Sequence, residues 1–147
     1  MEKSAGLNIE KVITLVGEGR AALARLSQYS DKDEEELLSS EERMGNIRYQ
    51  FIVAIEACMD LCNHIVARQL QTAPDSYAQC FELLGQRHII PVELAKRMSD
   101  FAKFRNVLVH LYWKVDDRRV IQTLKEDLPA IDEFLREISR FADKEQS

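Results

Sequence analysis

The sequence predicts an all-α fold, an antiparallel helical bundle forming one domain over residues 1–147. Three observations predict it. Apolar residues recur every three or four positions along each long segment, the period of a helix and not of a strand. Five Gly and three Pro leave little material for a turn-rich β fold. At 147 residues, with 46% hydrophobic and 31% charged side chains, the chain is long enough for one real core.

Residues 1–7 read as a flexible tail. Asn8 is a candidate cap for a helix carrying Ile9, Val12, Ile13, Leu15, Val16, Leu23 and Leu26. Residues 31–39 read as an acidic connector. Ser40, followed by Glu41 and Glu42, starts the next helix, whose apolar pattern continues to about Gln71. Its apolar arc is wide, so it is expected to be central, with neighbours on more than one side. Pro74-Asp75-Ser76 breaks the chain and caps a short helix with Tyr77, Cys80, Phe81 and Leu84, and Gly85 is read as its stop. Pro91 opens a helix through Leu94, Met98, Phe101, Leu108 and Tyr112. Asp116 or Asp117 caps a last helix running to Ile138, with a kink expected at Pro129.

The net charge of −5 argues against a general nucleic-acid coat protein. The charge is uneven, however. Residues 86–119 hold eight Lys or Arg against four Asp or Glu, a local +4 that leaves −9 for the remainder. Three cysteines and an N-terminus without an apolar run lead to the expectation of reduced thiols, no secretory signal and a cytoplasmic location. No stretch approaches 18 consecutive apolar residues, so no membrane span is expected. Cys58 and Cys62 lie one helical turn apart with His64 near, but zinc wants about four ligands, and the cysteines are read as small apolar core residues. Gly17-Glu18-Gly19 lies in a helical pattern with no strand before it, which excludes a nucleotide-binding loop. No cofactor is expected.

The positive segment contains Arg105-Asn106-Val107-Leu108-Val109-His110-Leu111-Tyr112. At about 100° per residue, Arg105 falls within the stripe of Leu94, Met98, Phe101, Leu108 and Tyr112. A guanidinium there needs a phosphate, a carboxylate such as Glu56 or Asp60, or an interface cavity in front of it. His110 falls about 140° from Arg105 on the same ideal helix. The arginine curls round, the helix is distorted, or a second subunit closes the site. Two-fold pairing is the cleanest of these solutions. A fixed cation, an imidazole and a phenol in one segment suit work on phosphates.

These residues resemble the R-x4-H-x-Y motif of HepT-type proteins in the HEPN superfamily. Ile89-Ile90-Pro91, Phe104-Arg105-Asn106, Val109-His110, Tyr112 and Val115-Asp116 follow that family's order, and the likeness spans about residues 40–140. The resemblance implies a homodimeric, metal-independent endoribonuclease toxin, paired with a minimal nucleotidyltransferase antitoxin that can attach AMP to Tyr112. It implies that a ribose 2′-OH attacks the adjacent phosphodiester. His110 acts as general base or acid, Arg105 holds the non-bridging oxygens, and Asn106 orients His110 or binds substrate. Lys103 and Lys114 flank the motif as candidate RNA contacts. On the ideal helix Tyr112 lies within about 20° of Arg105, so AMP there is expected to crowd the arginine. The competing reading is a non-catalytic helical dimer that binds the nucleotidyltransferase and serves as its AMP acceptor.

Overall fold

In the computed structural model, which describes residues 6–146, every regular element is helical. The order is α1 (Ile9–Ser27), α2 (Glu34–Leu38), α3 (Glu41–Ile65), a π-helical continuation (Val66–Leu70), α4 (Tyr77–Gln86), α5 (Val92–His110), a 3₁₀ turn (Tyr112–Lys114), α6 (Asp117–Glu126) and α7 (Leu128–Gln146). Four starts follow from polar caps. Asn8, Ser40, Ser76 and Asp116 each accept a hydrogen bond from a backbone N–H in the first turn of the helix that follows.

The apolar arc of α3 predicts its place. It touches α1, α2, α4, α5 and α7, and Ile47, Phe51, Ile55, Cys58, Leu61 and Cys62 are fully buried. Its segment Glu41–Leu70 is long and apolar enough to cross a bilayer, yet 67% of its most apolar window lies inside the bundle. α1 runs antiparallel to it. The N–H of Asn8, at the start of α1, donates to His64 Nε2 near the end of α3 at 2.9 Å. Asn46 Nδ2, early in α3, donates to the Tyr29 hydroxyl just beyond α1 at 2.9 Å. Edge-to-face ring pairs join α3 to α5 (Phe51–Phe104) and α4 to α7 (Phe81–Phe134).

Several boundaries differ from the sequence reading. Within the acidic connector, Glu34–Leu38 is a short helix that buries Leu37 completely. Of the expected tail, residues 1–5 lie outside the described residues, whereas Leu7 packs on the core and the Gly6 carbonyl accepts from Arg68 at 2.8 Å. The last helix is two helices, separated at Asp127, with Pro129 in the first turn of α7. Gly85 does not stop α4. No glycine has a positive φ, and the left-handed residue after α4 is His88. Gly85 instead permits close packing, since a Cβ there would lie 2.7 Å from the Ala95 Cβ on α5.

The cysteines are core residues. Cys58, Cys62 and Cys80 are free and fully buried. Burial pushes the Cys58 and Cys62 thiols well up, away from the thiolate that reacts or binds metal. Among the described residues no group of three or more His, Cys, Asp or Glu is placed to hold a metal ion. His64 pairs with the Asn8 backbone, and no bond joins it to Asp60.

Candidate active site

α5 places the motif. Leu94, Met98, Phe101 and Leu108 are buried along one stripe. Arg105 falls in that stripe as its angle predicts, with a side chain only 18% exposed. Burial on that scale demands a partner, and α3 supplies it. Arg105 Nε and Nη2 both donate to Glu56 Oε2, at 3.0 and 2.8 Å. Of the two carboxylates foreseen, Glu56 is the partner. It remains 41% exposed, so the pair lies at the edge of the core.

The third nitrogen decides how the motif is joined. Arg105 Nη1 donates to Asn106 Oδ1 at 3.1 Å. The guanidinium thus reaches from the buried stripe to Asn106 on the exposed face of α5. Asn106 and His110 are four residues apart on that helix, so their side chains are neighbours, with Cβ atoms about 5–6 Å apart. Asn106 thus holds Arg105 through its Oδ1 and stands one helical turn before His110. His110 is exposed at the last position of α5, and nothing in the described chain hydrogen-bonds its ring. A guanidinium has five N–H donors. Three are engaged, leaving one on Nη1 and one on Nη2.

Tyr112 is not on the stripe. α5 stops at His110, Leu111 leaves the helical region at φ −127° and ψ 40°, and Tyr112 begins the 3₁₀ turn. The helical angle that set Tyr112 beside Arg105 therefore does not apply. The residue is 71% exposed.

Lys103 and Lys114 are exposed, and no ion pair engages either among the described residues. Lys103 lies on the face of α5 that carries Asn106 and His110, and Lys114 ends the 3₁₀ turn. Elsewhere in the positive segment one arginine and one aspartate are held by α2 and α3. Arg118 reaches Glu34 and Glu35 on α2, at 2.8 and 3.2 Å, and Arg48 pairs with Asp117 at 2.6 Å. A cleft of about 280 Å³ between α5, α6 and α7 is lined by Arg97, Phe101, Phe104, Arg119, Thr123 and Asp127, and by none of the motif's polar residues. Trp113, 65% exposed beside Tyr112, escapes the sequence reading because a 3₁₀ turn breaks the helical period. The only cue was its place, directly after the motif.

The sequence and the fold match known proteins. A family model described as ribonuclease HepT-like covers residues 20–138. The mRNA nuclease HepT of Shewanella oneidensis is 30% identical over 80 residues, 54% of this chain and 60% of that protein. The tRNA nuclease HepT of Aphanizomenon flos-aquae is 25% identical over 133 residues, 90% of this chain and 88% of that one. The fold matches the tri-AMPylated Shewanella oneidensis HEPN toxin, solved in complex with MNT antitoxin, with a TM-score of 0.81 at 22% identity over 88% of this chain and 97% of that one. With most of its length matched by that family model, its helices by that fold, and its Arg105, Asn106 and His110 gathered on one helix, the chain belongs to the HepT-like ribonuclease family.

Proposed function

We propose that this protein is a metal-independent endoribonuclease toxin, acting as a homodimer in the cytoplasm and controlled by a minimal nucleotidyltransferase that attaches AMP to Tyr112. The observation that carries the catalytic reading is the Arg105–Asn106 hydrogen bond, which turns the guanidinium toward the helix face of His110. The two named nuclease relatives support RNA as substrate. The reaction needs only these side chains. His110 removes the proton from a ribose 2′-OH, which attacks the adjacent phosphorus. The 5′-oxygen leaves with a proton returned by an imidazolium, from the same residue or from its two-fold mate. The two free N–H groups of Arg105 hold the non-bridging oxygens as charge builds on them. The products are a 2′,3′-cyclic phosphate and a 5′-hydroxyl.

The dimer would complete the site, since Arg105 reaches Asn106 and no hydrogen bond joins it to His110 among the described residues. It is supported by the resemblance, and by the exposed Ile13 and Tyr49, which nothing in the protomer covers. The AMP-modified neighbour supports AMP transfer as the control, and the exposure of Tyr112 supports that residue as the acceptor. A phosphodiester on that phenol, close to His110, would compete with RNA for the same cations.

The competing reading is a non-catalytic dimer that serves the nucleotidyltransferase as AMP acceptor. One observation favours it: Glu56 already occupies the side-on edge of Arg105. Purified protein incubated with single-stranded RNA in EDTA separates the two. Cleavage is expected to leave cyclic phosphate ends, and to vanish in Arg105→Ala and in His110→Ala with helicity unchanged. Cleavage that needs a divalent ion, or survives His110→Ala, would overturn the catalytic reading. Co-expression with a cognate nucleotidyltransferase is expected to add adenylyl mass to the parent chain but not to Tyr112→Phe. A mass gain that persists in Tyr112→Phe removes the proposed switch.

A further inference from the structure

The segment after the motif is both rigid and water-exposed, an unusual pairing for large aromatic rings. Leu111 N–H donates to the Val107 carbonyl at 3.0 Å, Lys114 N–H to Leu111 at 2.7 Å, and Val115 N–H to Tyr112 at 3.3 Å. Val115 packs on the core, and Asp116 caps α6. The turn is therefore tied at both ends. Even so it holds Leu111, Tyr112 and Trp113 in solvent, the last two 71% and 65% exposed. Tyr112 and Trp113 meet edge to face, with centroids 5.3 Å apart and planes at 81°. They present ring faces at right angles rather than closing on each other as a stack.

The surrounding charge selects the occupant. Lys114 follows directly, and Lys103 and His110 line the exposed face of the helix that leads into the turn. The two acids just beyond are engaged. Asp116 Oδ1 accepts from the Arg118 N–H, and Asp117 is bound to Arg48. A free aromatic face among unpaired cations suits a π-faced ligand carried on an anionic backbone. Trp113 is three residues past His110, so their backbones are at most about 11 Å apart.

We propose that Trp113 is a nucleobase-stacking residue that positions RNA for cleavage at His110 by holding a base near the scissile phosphate. This deepens the ribonuclease reading and rests on it. The same ring would take the adenine of an AMP carried on Tyr112, so modification would fill the base site with a nucleotide already tethered there. Trp113 thus contributes to binding and touches no reacting atom.

Trp113 is the chain's only tryptophan, so its emission reports on the site directly. His110→Ala protein, which keeps Trp113 but does not turn over, is titrated with a mixed-sequence RNA decamer, with an abasic ribose-phosphate decamer and with free AMP. The RNA decamer is expected to quench the emission, and the abasic decamer to leave it nearly unchanged. Quenching by AMP identifies adenine as a sufficient ligand, and quenching by the decamer alone identifies a base on an RNA strand. Either supports the assignment. In otherwise unaltered enzyme, Trp113→Ala is expected to lower kcat/KM about tenfold, carried by KM, the loss of one stacked base. Trp113→Phe restores most of that loss and Trp113→Leu does not.

RNA cleavage with unquenched emission and an unchanged KM in Trp113→Ala would overturn the assignment while leaving the ribonuclease reading standing. Emission already blue-shifted in the free protein, and red-shifting on dilution, would place Trp113 under a second copy and overturn it too. Base-dependent quenching without any cleavage would uphold the base site and reject the ribonuclease.

Discussion

Replacing Gly85 with alanine tests how α4 positions the helix that carries the motif. The added methyl would meet the Ala95 Cβ at 2.7 Å, whereas ordinary contact begins near 3.4 Å. The two helices must then part by about 0.7 Å, and neither methyl can swing away. Such overpacking costs about 1–3 kcal/mol, with a further loss of dispersion where the interface opens. Alanine favours a helix over glycine by about 1 kcal/mol, which offsets part of that. The net expectation is a loss of about 1–2 kcal/mol, a fall in Tm of about 2–8 °C for a domain of this size. Thermal and urea unfolding of four proteins check it: the parent, Gly85→Ala, Ala95→Gly and the double variant. The double variant moves one methyl from α5 to α4 and exchanges the two propensities, so it should return to within about 0.5 kcal/mol of the parent. A double variant no better than the sum of its singles would refute the packing argument. So would Gly85→Ala at parental stability.

Glu56→Gln keeps an acceptor for Arg105 but removes the charge. With the carboxylate 41% exposed, stability should fall by only about 1 kcal/mol, while kcat for RNA falls about tenfold and KM changes little, because the guanidinium is less firmly aimed. Unaltered or faster cleavage would show that Glu56 does not position Arg105. His64 predicts a pH dependence. Burial, and then Arg68 and Lys11, hold its imidazole below the ordinary value, and its neutral Nε2 accepts the Asn8 N–H. Its contribution to stability is full above the unfolded value of about 6.5 and is lost as pH falls from there through the lower folded value. His64→Gln should flatten that part of the profile in urea melts between neutral and mildly acidic pH, and an unchanged profile would exclude His64 as its source.

Much of the bundle was legible because caps and apolar period agree. Asn8, Ser40, Ser76 and Asp116 are short polar side chains standing immediately before helical runs, and each caps as its chemistry suggests. The failures have physical causes. Nothing local stops α5 at His110, since no Gly or Pro follows and the apolar pattern runs on to Tyr112. The stop lies in the Leu111 backbone and in the turn it opens. α2 spans five residues, too few for a period to register. Gly85 looks like a C-terminal stop in sequence, but its reason is a neighbouring helix. At the site, the half-buried place of Arg105 could be read from its angle. The choice of Glu56 over Asp60 depends on how α3 and α5 cross, and the reach of Nη1 to Asn106 depends on a rotamer, and neither is written in local sequence.

On the proposed ribonuclease reading, charge explains how an acidic chain would address RNA. The local excess of +4 in residues 86–119 suggests a basic face, but the fold uses part of that excess internally. Arg118 is held by two glutamates of α2, and Arg105 by Glu56. Lys103 and Lys114 keep their charges free beside His110. Few cations means few released counterions, and so little sequence-independent adhesion to nucleic acid. Discrimination then falls to groups that read more than charge: the two remaining N–H donors of Arg105, fixed in direction by Glu56 and Asn106, and the ring faces beyond His110. A toxin built this way would engage a strand through a correctly placed phosphate with a base beside it, and a modification that supplies both on Tyr112 would occupy it with few new contacts required.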